Sequence, residues 1–522
     1  MAPKLPIFTE EELSPKVQQL LEVLRYQMEL IQALRDEIAV LKGNKPKPKI
    51  KPSKLDRNDP KPGEHGKRPG SEKEHKTEGL EIHETKTIKA DDVPEGSEFK
   101  GYKEFVVQDL MIQCHNTLYQ MERWLTPEGT YVSGQLPLSV EGHFGSTLKS
   151  YILYQYHQCQ VTQPLILEAL HEFGIEISSG QINNILIEGQ DDYHEEKAEI
   201  LATGLAISSH INVDDTGARH EGKNGFCTHI GNDLFAWFES TESKSRINFL
   251  ELLRAGRTDY VLIDESYDYM TAQKLPKNKL QILENGRGQS FSNEAQWLAY
   301  LEKLGICEER HVRAATEGAL IGSLLVNGFN KSLVIVSDDA GQFDVFLHAL
   351  CWIHAERLIN KLVPYTQAQR KDWESIRDQI WALYRELKEY KENPSLEWGV
   401  ALTAQFDKIF TTKTCYTSLN LALGRLHQNR DELLLCIERP EIPLHNNASE
   451  NDIREYVKKR KVSGGTRSDE GRQSRDTFTS LKKTCRKLGV SFWKFLNDRV
   501  SGENLISPLP TIMWDRASPS TY

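Results

Sequence analysis

Three separated acidic residues are the positions in this chain best suited to chemistry. Asp214 follows the run His-Ile-Asn-Val, Asp338 follows Leu-Val-Ile-Val-Ser, and Glu450 closes His-Asn-Asn-Ala-Ser-Glu. Two carboxylates at the ends of buried strands and a third at the start of a helix make a hard-oxygen site for divalent cations. Mg2+ keeps several of its waters and is held by a few carboxylates plus substrate phosphates, so three protein acids suffice for two ions, with Mn2+ as an alternative. Ions about 3.5–4 Å apart activate an attacking oxygen and stabilise a leaving one, which is the requirement for cutting and joining phosphodiesters. If the three acids meet in space, the partner is nucleic acid.

Each acid also has a plainer explanation. Asp214-Asp-Thr-Gly and Ser337-Asp-Asp-Ala-Gly both suit turns. Glu450 lies three residues after Asn447, the spacing of a capping box. Asp264 and Glu265, after Tyr-Val-Leu-Ile, compete on spacing alone. The cations near these acids point the same way as the metal reading. Arg454 and Lys458 follow Glu450 by four and eight residues and share its helix face. Residues 452–487 carry 12 Lys and Arg against 5 Asp and Glu. Lys244, Arg246 and the run Lys458-Lys459-Arg460-Lys461 are further candidates for a phosphate backbone.

The elements that must position these residues alternate from about residue 205. Leu205–Val213 reads as a strand, and Gly225–Ile230 with Leu234–Glu239 as a hairpin across Gly231-Asn232-Asp233. Arg246–Arg254 reads as a helix, Ser332–Ser337 as a buried strand, and His348–His354 as a strand or a strand-to-helix junction. Helical insertions are expected over about 266–325 and 365–440. This is the plan of an α/β, ribonuclease H-like mixed sheet over 205–500, with Asp on the first strand, Asp on a later central one and an acid on a following helix.

Ahead of it, 145–200 has the layout of a helix-turn-helix. Val161–Phe173 is a first helix, Gly174 turns the chain, and Ser178 caps a second helix that presents Ser179, Gln181, Asn183 and Asn184 to a groove. Residues 79–140 read as a small β-rich module, where His83, Cys114 and His115 lack the spacing of a metal site. Residues 44–78 are a Pro- and Lys-rich linker; from Lys42 to Lys76 there are 12 Lys and Arg against 5 Asp and Glu. Residues 13–43 carry a heptad pattern. Val17, Leu24, Ile31 and Ile38 hold one seam position; Leu20, Gln27, Leu34 and Leu41 hold the other. This favours a parallel two-stranded coiled coil and hence a homodimer. Residues 501–522 form a tail.

With 522 residues, two to four domains are expected. The net charge of -10 does not itself suggest a nucleic-acid binder, but the local basic patches do. The eight cysteines are scattered with no Cys-x-x-Cys pair. That argues against a disulfide scaffold and a zinc ribbon, and for reduced thiols in the cytoplasm. There is no signal-peptide core and no apolar run long enough for a membrane span.

Four segments together resemble the transposases of the insertion sequence 66 family. They are Asp214-Asp-Thr-Gly-Ala-Arg, Ser337-Asp-Asp-Ala-Gly-Gln-Phe, Cys351-Trp-Ile-His-Ala-Glu-Arg and Asn446-Asn-Ala-Ser-Glu-Asn-Asp-Ile-Arg. The resemblance implies that Asp214, Asp338 and Glu450 are the catalytic, metal-binding acids of a ribonuclease H-like domain. It implies Mg2+-dependent strand cleavage at the ends of a mobile element and transfer into target DNA, in a protein found on the nucleoid when DNA-bound. Cys351 and His354 match a Cys-x-x-His signature with a structural or metal-adjacent role. Two departures stand out. Many relatives carry a cysteine-rich module after the coiled coil, which this chain lacks, so no zinc is expected there. The second residue of the first motif is Asp where many relatives have Glu. The alternatives are a nuclease or resolvase that cuts without joining, and an inactive DNA-binding relative.

Overall fold

A computed structural model describes residues 80–91, 94–137 and 142–517, together with Val17 and Leu24. The expected coiled coil and basic linker lie outside the described residues, apart from those two positions. The chain divides into two units, 1–113 and 114–522. In the first, Val17 and Leu24 are helical, and residues 80–91 and 94–113 form a turn at Glu95-Gly96 and otherwise irregular backbone. Everything below concerns the second.

Its centre is one five-stranded sheet in the order β5-β4-β3-β8-β9. Strands β3 (His210–His220), β4 (Lys223–Gly231) and β5 (Ala236–Thr241) form an antiparallel meander. Strands β8 (Val334–Ser337) and β9 (Leu347–Leu350) continue it in parallel from β3. The molecule is therefore an α/β protein with a mixed sheet, as the alternation of patterns predicts. The two remaining pairs are small: β1 (Arg123–Leu125) with β2 (Tyr131–Ser133), and β6 (Tyr260–Val261) with β7 (Ser290–Phe291).

The first strand starts later than its sequence suggests. The helix Asp191–Ile207 runs through Leu205, because Ile200, Leu201 and Leu205 continue a buried helical stripe. Gly204 lets that stripe lie against the sheet: a Cβ there would sit 2.4 Å from the Phe235 ring. Strand β3 then runs on to His220, so Asp214 lies within a strand instead of at its end. Its parallel partner β8 leaves it at Asn212, so Asp214 stands just past the point where the two strands part. A tight hairpin at Glu221 and Gly222, both at positive φ, joins β3 to β4.

The helical insertions have separate anchors. Between β5 and β8, the helices Asp264–Ala272 and Glu309–Val326 pack into the large core that also holds Ile211, Val213 and Ile335. Between β9 and the Glu450 helix, the helices Gln367–Glu392, Leu396–Phe410, Thr417–Gln428 and Arg430–Glu438 build a core of their own around Leu383, Phe406 and Leu423. That insertion ends at Leu444, whose carbonyl accepts from the Trp352 N–H at 3.0 Å, which returns the chain to the sheet.

Two expectations change. Among the described residues of 79–140 there is only the β1–β2 hairpin, with all six strand residues exposed, so the β-rich module reduces to one ribbon. The tail contains a helix, Leu509–Ala517, docked through buried Leu509 and Met513. The helix-turn-helix layout is present as Gln163–Glu172 and Ser179–Ile187, turned at Gly174 (φ +76) and capped by Ser178, whose Oγ accepts from the Gln181 N–H at 3.1 Å.

Gly204→Ala should force Phe235 or the helix to move, at a cost of about 1–3 kcal/mol. The expected result is a thermal midpoint lower by several degrees, read by calorimetry.

A carboxylate cluster held by a buried polar hub

Side chains alternate faces along a strand, and this alternation separates Asp214 from its neighbour. Asn212, Asp214 and Ala218 face the helix Asn447–Ser463, as shown by the Asn212 bond to Asn446 and the packing of Ala218 with Ile453 and Tyr456. Asp215 points the other way. Both its oxygens are occupied, one by the Thr228 hydroxyl at 2.6 Å and the other by Gln342 Nε2 at 2.9 Å. Asp338 and Asp339 follow the end of β8, where the second of the two is committed to other side chains. Asp339 accepts from Arg425 and, at 3.4 Å, from Asn429. Asp264 and Glu265 follow β6, outside the five-stranded sheet, and pair at the surface with Arg287 and Lys331.

Asp214, Asp338 and Glu450 share one electrostatic neighbourhood. Burial first, then the charges of Asp338, Asp215 and Glu450, push the Asp214 carboxyl up to about 7, against the bond it accepts from the Asp215 N–H at 2.8 Å. Glu450 sits in the first turn of its helix, and its Oε1 is buried without a hydrogen bond. An orphaned carboxylate oxygen among other carboxylates is the donor set of a hard divalent cation, so the residues present fit Mg2+.

A small buried cluster holds the three acid-bearing segments together. Asn446, 1% exposed, accepts from Asn212 Nδ2 at 2.9 Å and donates through Nδ2 to the Val213 carbonyl at 2.7 Å. Its backbone N–H donates to the Cys351 sulfur at 3.2 Å. The Cys351 N–H in turn donates to the Ser337 carbonyl at 2.9 Å. Residues adjacent to Asp214 and Asp338, and the residue that precedes the Glu450 helix, are thus tied within one network. The cysteine of the Cys-x-x-His pattern is a hydrogen-bond acceptor in this hub. Its thiol is raised by burial, which keeps it neutral. Asn212 and Asn446 escaped the sequence reading, although a buried strand asparagine preceding an acid is a visible signal.

The histidine of the same pattern faces the carboxylates. His354 Nε2 accepts from Arg357 Nη1 at 2.9 Å and lies 3.7 Å from Glu450 Oε1. Burial and then Arg357 lower its basicity, against the opposing charges of Asp338 and Glu450.

Behind the site, the Glu450 helix is locked to the helix Asp469–Lys487 by buried ion pairs. Asp452 meets Lys487 at 2.8 Å and Lys483 at 3.3 Å, and Glu455 meets Lys482 at 2.7 Å. These cations, with His229, offset the burial of the two carboxylates; Glu455 is brought down to about 2 and Asp452 lower still. Much of the basic charge counted after Glu450 is therefore internal.

The predicted phosphate contacts divide accordingly. Arg454, Lys458 and Lys461 are exposed, as is Lys244. Lys459 is instead buried: its Nζ donates to the Tyr156 carbonyl at 2.9 Å and stacks on the Tyr156 ring, and burial brings it down to about 7. Arg460 bonds the Gly217 carbonyl, and Arg246 is enclosed by Gly341, Tyr269, Glu317 and Asp344. Their cationic ends are committed to the fold. In the helix-turn-helix, Asn183 accepts from Gln163 at 3.3 Å, so it joins the two helices; Gln181 and Asn184 are half-buried.

Residues 314–474 match the family model described as "Transposase IS66 family". A curated relative, the "Uncharacterized protein y4jO" of Sinorhizobium fredii (strain NBRC 101917 / NGR234), is 44% identical over 321 residues, covering 61% of this chain and all of that protein. The chain belongs to the IS66 transposase family. The matched IS66 segment contains Asp338, Cys351, His354 and Glu450; Asp214 lies before it. DNA is the partner that membership in a transposase family implies. None of the eight cysteines is in a disulfide. No described helix is long and apolar enough to cross a membrane.

Two outcomes follow from this geometry. Asn446→Ala leaves the Val213 carbonyl and the Asn212 amide unpaired in the core, for a cost of about 2–4 kcal/mol in thermal stability. An unchanged melting curve would show that the hub contributes nothing. For Asp214, a folded-state pKa above the unfolded one means stability that is full at low pH and lost as pH rises through about 7. Asp214→Asn removes that loss. In EDTA the variant should melt higher than the parent at pH 8 by roughly 1–3 °C, the gap narrowing as pH falls toward about 4.

Proposed function

We propose that this IS66-family protein cleaves DNA strands at the ends of a mobile element and transfers the freed 3′-hydroxyl into target DNA. The observation that carries the reading is the electrostatic coupling of Asp214 to Asp338 and Glu450, together with the commitment of the neighbouring Asp215 and Asp339 to other side chains. The sheet order supports a ribonuclease H-like core: an antiparallel meander followed by two parallel strands, with acids on the first strand, after the fourth, and on a helix packed against the sheet.

Asp214, Asp338 and Glu450 would hold divalent cations, Mg2+ or Mn2+, which when bound supply Lewis-acid activation of the attacking oxygen and stabilisation of the leaving one. The protein's own work is positioning. The hub of Asn212, Cys351 and Asn446 fixes the separation of the acids. Asp214 must give up its proton before it can ligand a cation, so cation binding should tighten as pH rises. Arg454, Lys458 and Lys461 lie on the exposed side of the Glu450 helix and suit a phosphate backbone running past the acids. The helix pair 163–187 would read the element ends through Ser179 and Gln181, and the heptad segment 13–43 would pair two protomers so that two ends are held together.

Asp214→Ala, Asp338→Ala and Glu450→Ala should each abolish cleavage of a labelled element-end duplex in Mg2+ while retaining end binding within about threefold. A variant that cleaves normally removes its residue from the site. Adding target DNA separates the readings: joined products support transposition, and cleaved ends without joining support a nuclease or resolvase.

A further inference from the structure

Arg357 lies within ion-pair distance of Glu450, and its setting is unusual. Its Nη1 lies 3.5 Å from Glu450 Oε1, the oxygen that has no hydrogen bond. The same nitrogen donates to His354 Nε2 at 2.9 Å. A guanidinium only donates, so His354 must present a bare lone pair at Nε2 and carry its proton on Nδ1. The imidazole is thus a neutral rest for the arginine. Arg357 side chain is 45% exposed, against 25% for His354 and 19% for Glu450. The guanidinium therefore stands at the mouth of the site with the histidine and glutamate behind it. Both residues project from the first turns of the helix Trp352–Asn360, whose start is pinned by Cys351 to the hub, so their position relative to Glu450 is set by the same network as the acids.

A strong ion pair would use both guanidinium edges on the carboxylate. Here the contact is single, long and half-exposed, so it is weak and easily exchanged. A divalent cation engaging Glu450 would displace it and leave a planar cation, still steered by His354, at the entrance through which a phosphodiester must come.

We propose that Arg357 is an exchangeable latch: without metal it occupies the cation's place beside Glu450, and with metal it turns to a non-bridging oxygen of the scissile phosphate. His354 is its positioning residue. The inference rests on the reading of Asp214, Asp338 and Glu450 as the metal site, and it assigns to the Cys-x-x-His segment a substrate contact that the three acids alone do not supply.

The latch makes a prediction of unusual sign. A residue that merely supports the site would weaken metal binding when removed, whereas removing a competitor strengthens it. Full-length protein without DNA would be titrated with Mn2+, the free ion being followed by electron paramagnetic resonance. Arg357→Gln should bind Mn2+ roughly three- to tenfold more tightly than the parent. Unchanged or weaker binding overturns the proposal. In single-turnover cleavage of an element-end duplex in Mg2+, the same variant should be slowed by about 100-fold, with end affinity in Ca2+ changed less than about threefold. Arg357→Lys should recover only part of the rate, since an ammonium lacks the fork geometry. His354→Ala should slow cleavage by roughly tenfold through loss of orientation. Parental cleavage by Arg357→Gln also overturns the proposal. Asp214→Asn run in parallel separates the two levels. If it cleaves like the parent, the metal-site reading fails; if it is inert while Arg357→Gln cleaves normally, only the latch fails.

Discussion

The charges of Asp338 and Glu450 act against ionisation of Asp214, so the backbone carrying these acids has to be held by something other than the carboxylates. In this protein that something is the side chain of Asn446. It uses its carbonyl on Asn212, its amide on the Val213 carbonyl and its backbone N–H on the Cys351 sulfur. Three segments far apart in sequence are joined there in a few ångströms of buried space, where unmet hydrogen-bonding groups are costly. The arrangement of β3, β8 and the Glu450 helix depends on it, and so does the setting that makes Asp214 a weak acid, first by burial and then by its acidic neighbours.

The rest of the architecture supports that junction from two sides. One is the large core under β3, closed by the insertion between β5 and β8. The other is the insertion of four long helices, which has its own core and so can depart from β9 and return at Leu444 without loading the sheet. Behind the Glu450 helix, Asp452 and Glu455 spend their charge on Lys482, Lys483 and Lys487. This clamp explains why a segment with an excess of 7 positive charges presents far fewer to solvent. Charge counting along a helix sees the residue types but not which face is covered.

The fate of the individual basic residues follows the same logic. Arg454, Lys458 and Lys461 remain available for a DNA backbone, while Lys459, one step from Lys458, points inward onto Tyr156. A turn of about 100° per residue decides this, and no composition argument can. Arg246, a reasonable phosphate candidate at the start of its helix, is instead the centre of a network that ties Gly341 and Asp344 to the Glu317 helix.

The sequence by itself determined the class of the protein: the α/β alternation, the hairpin at Gly231-Asn232-Asp233, the helix pair turned at Gly174, and the three motifs that carry the acids. These are local, because turn chemistry and side-chain periodicity are written in neighbouring residues. It also favoured Asp214 over Asp215 and Asp338 over Asp339, but by motif likeness alone. Only the tertiary structure supplied the physical ground: Asp215 and Asp339 are bound by residues such as Gln342 and Arg425 that lie about 80 or more positions away, leaving the other two free to face Glu450. It alone moved the start of the first strand past Leu205, turned Lys459 and Arg460 inward, and gave Cys351 and His354 separate tasks. Each of these depends on which surfaces meet across long stretches of chain, and that information exists only once the chain has folded.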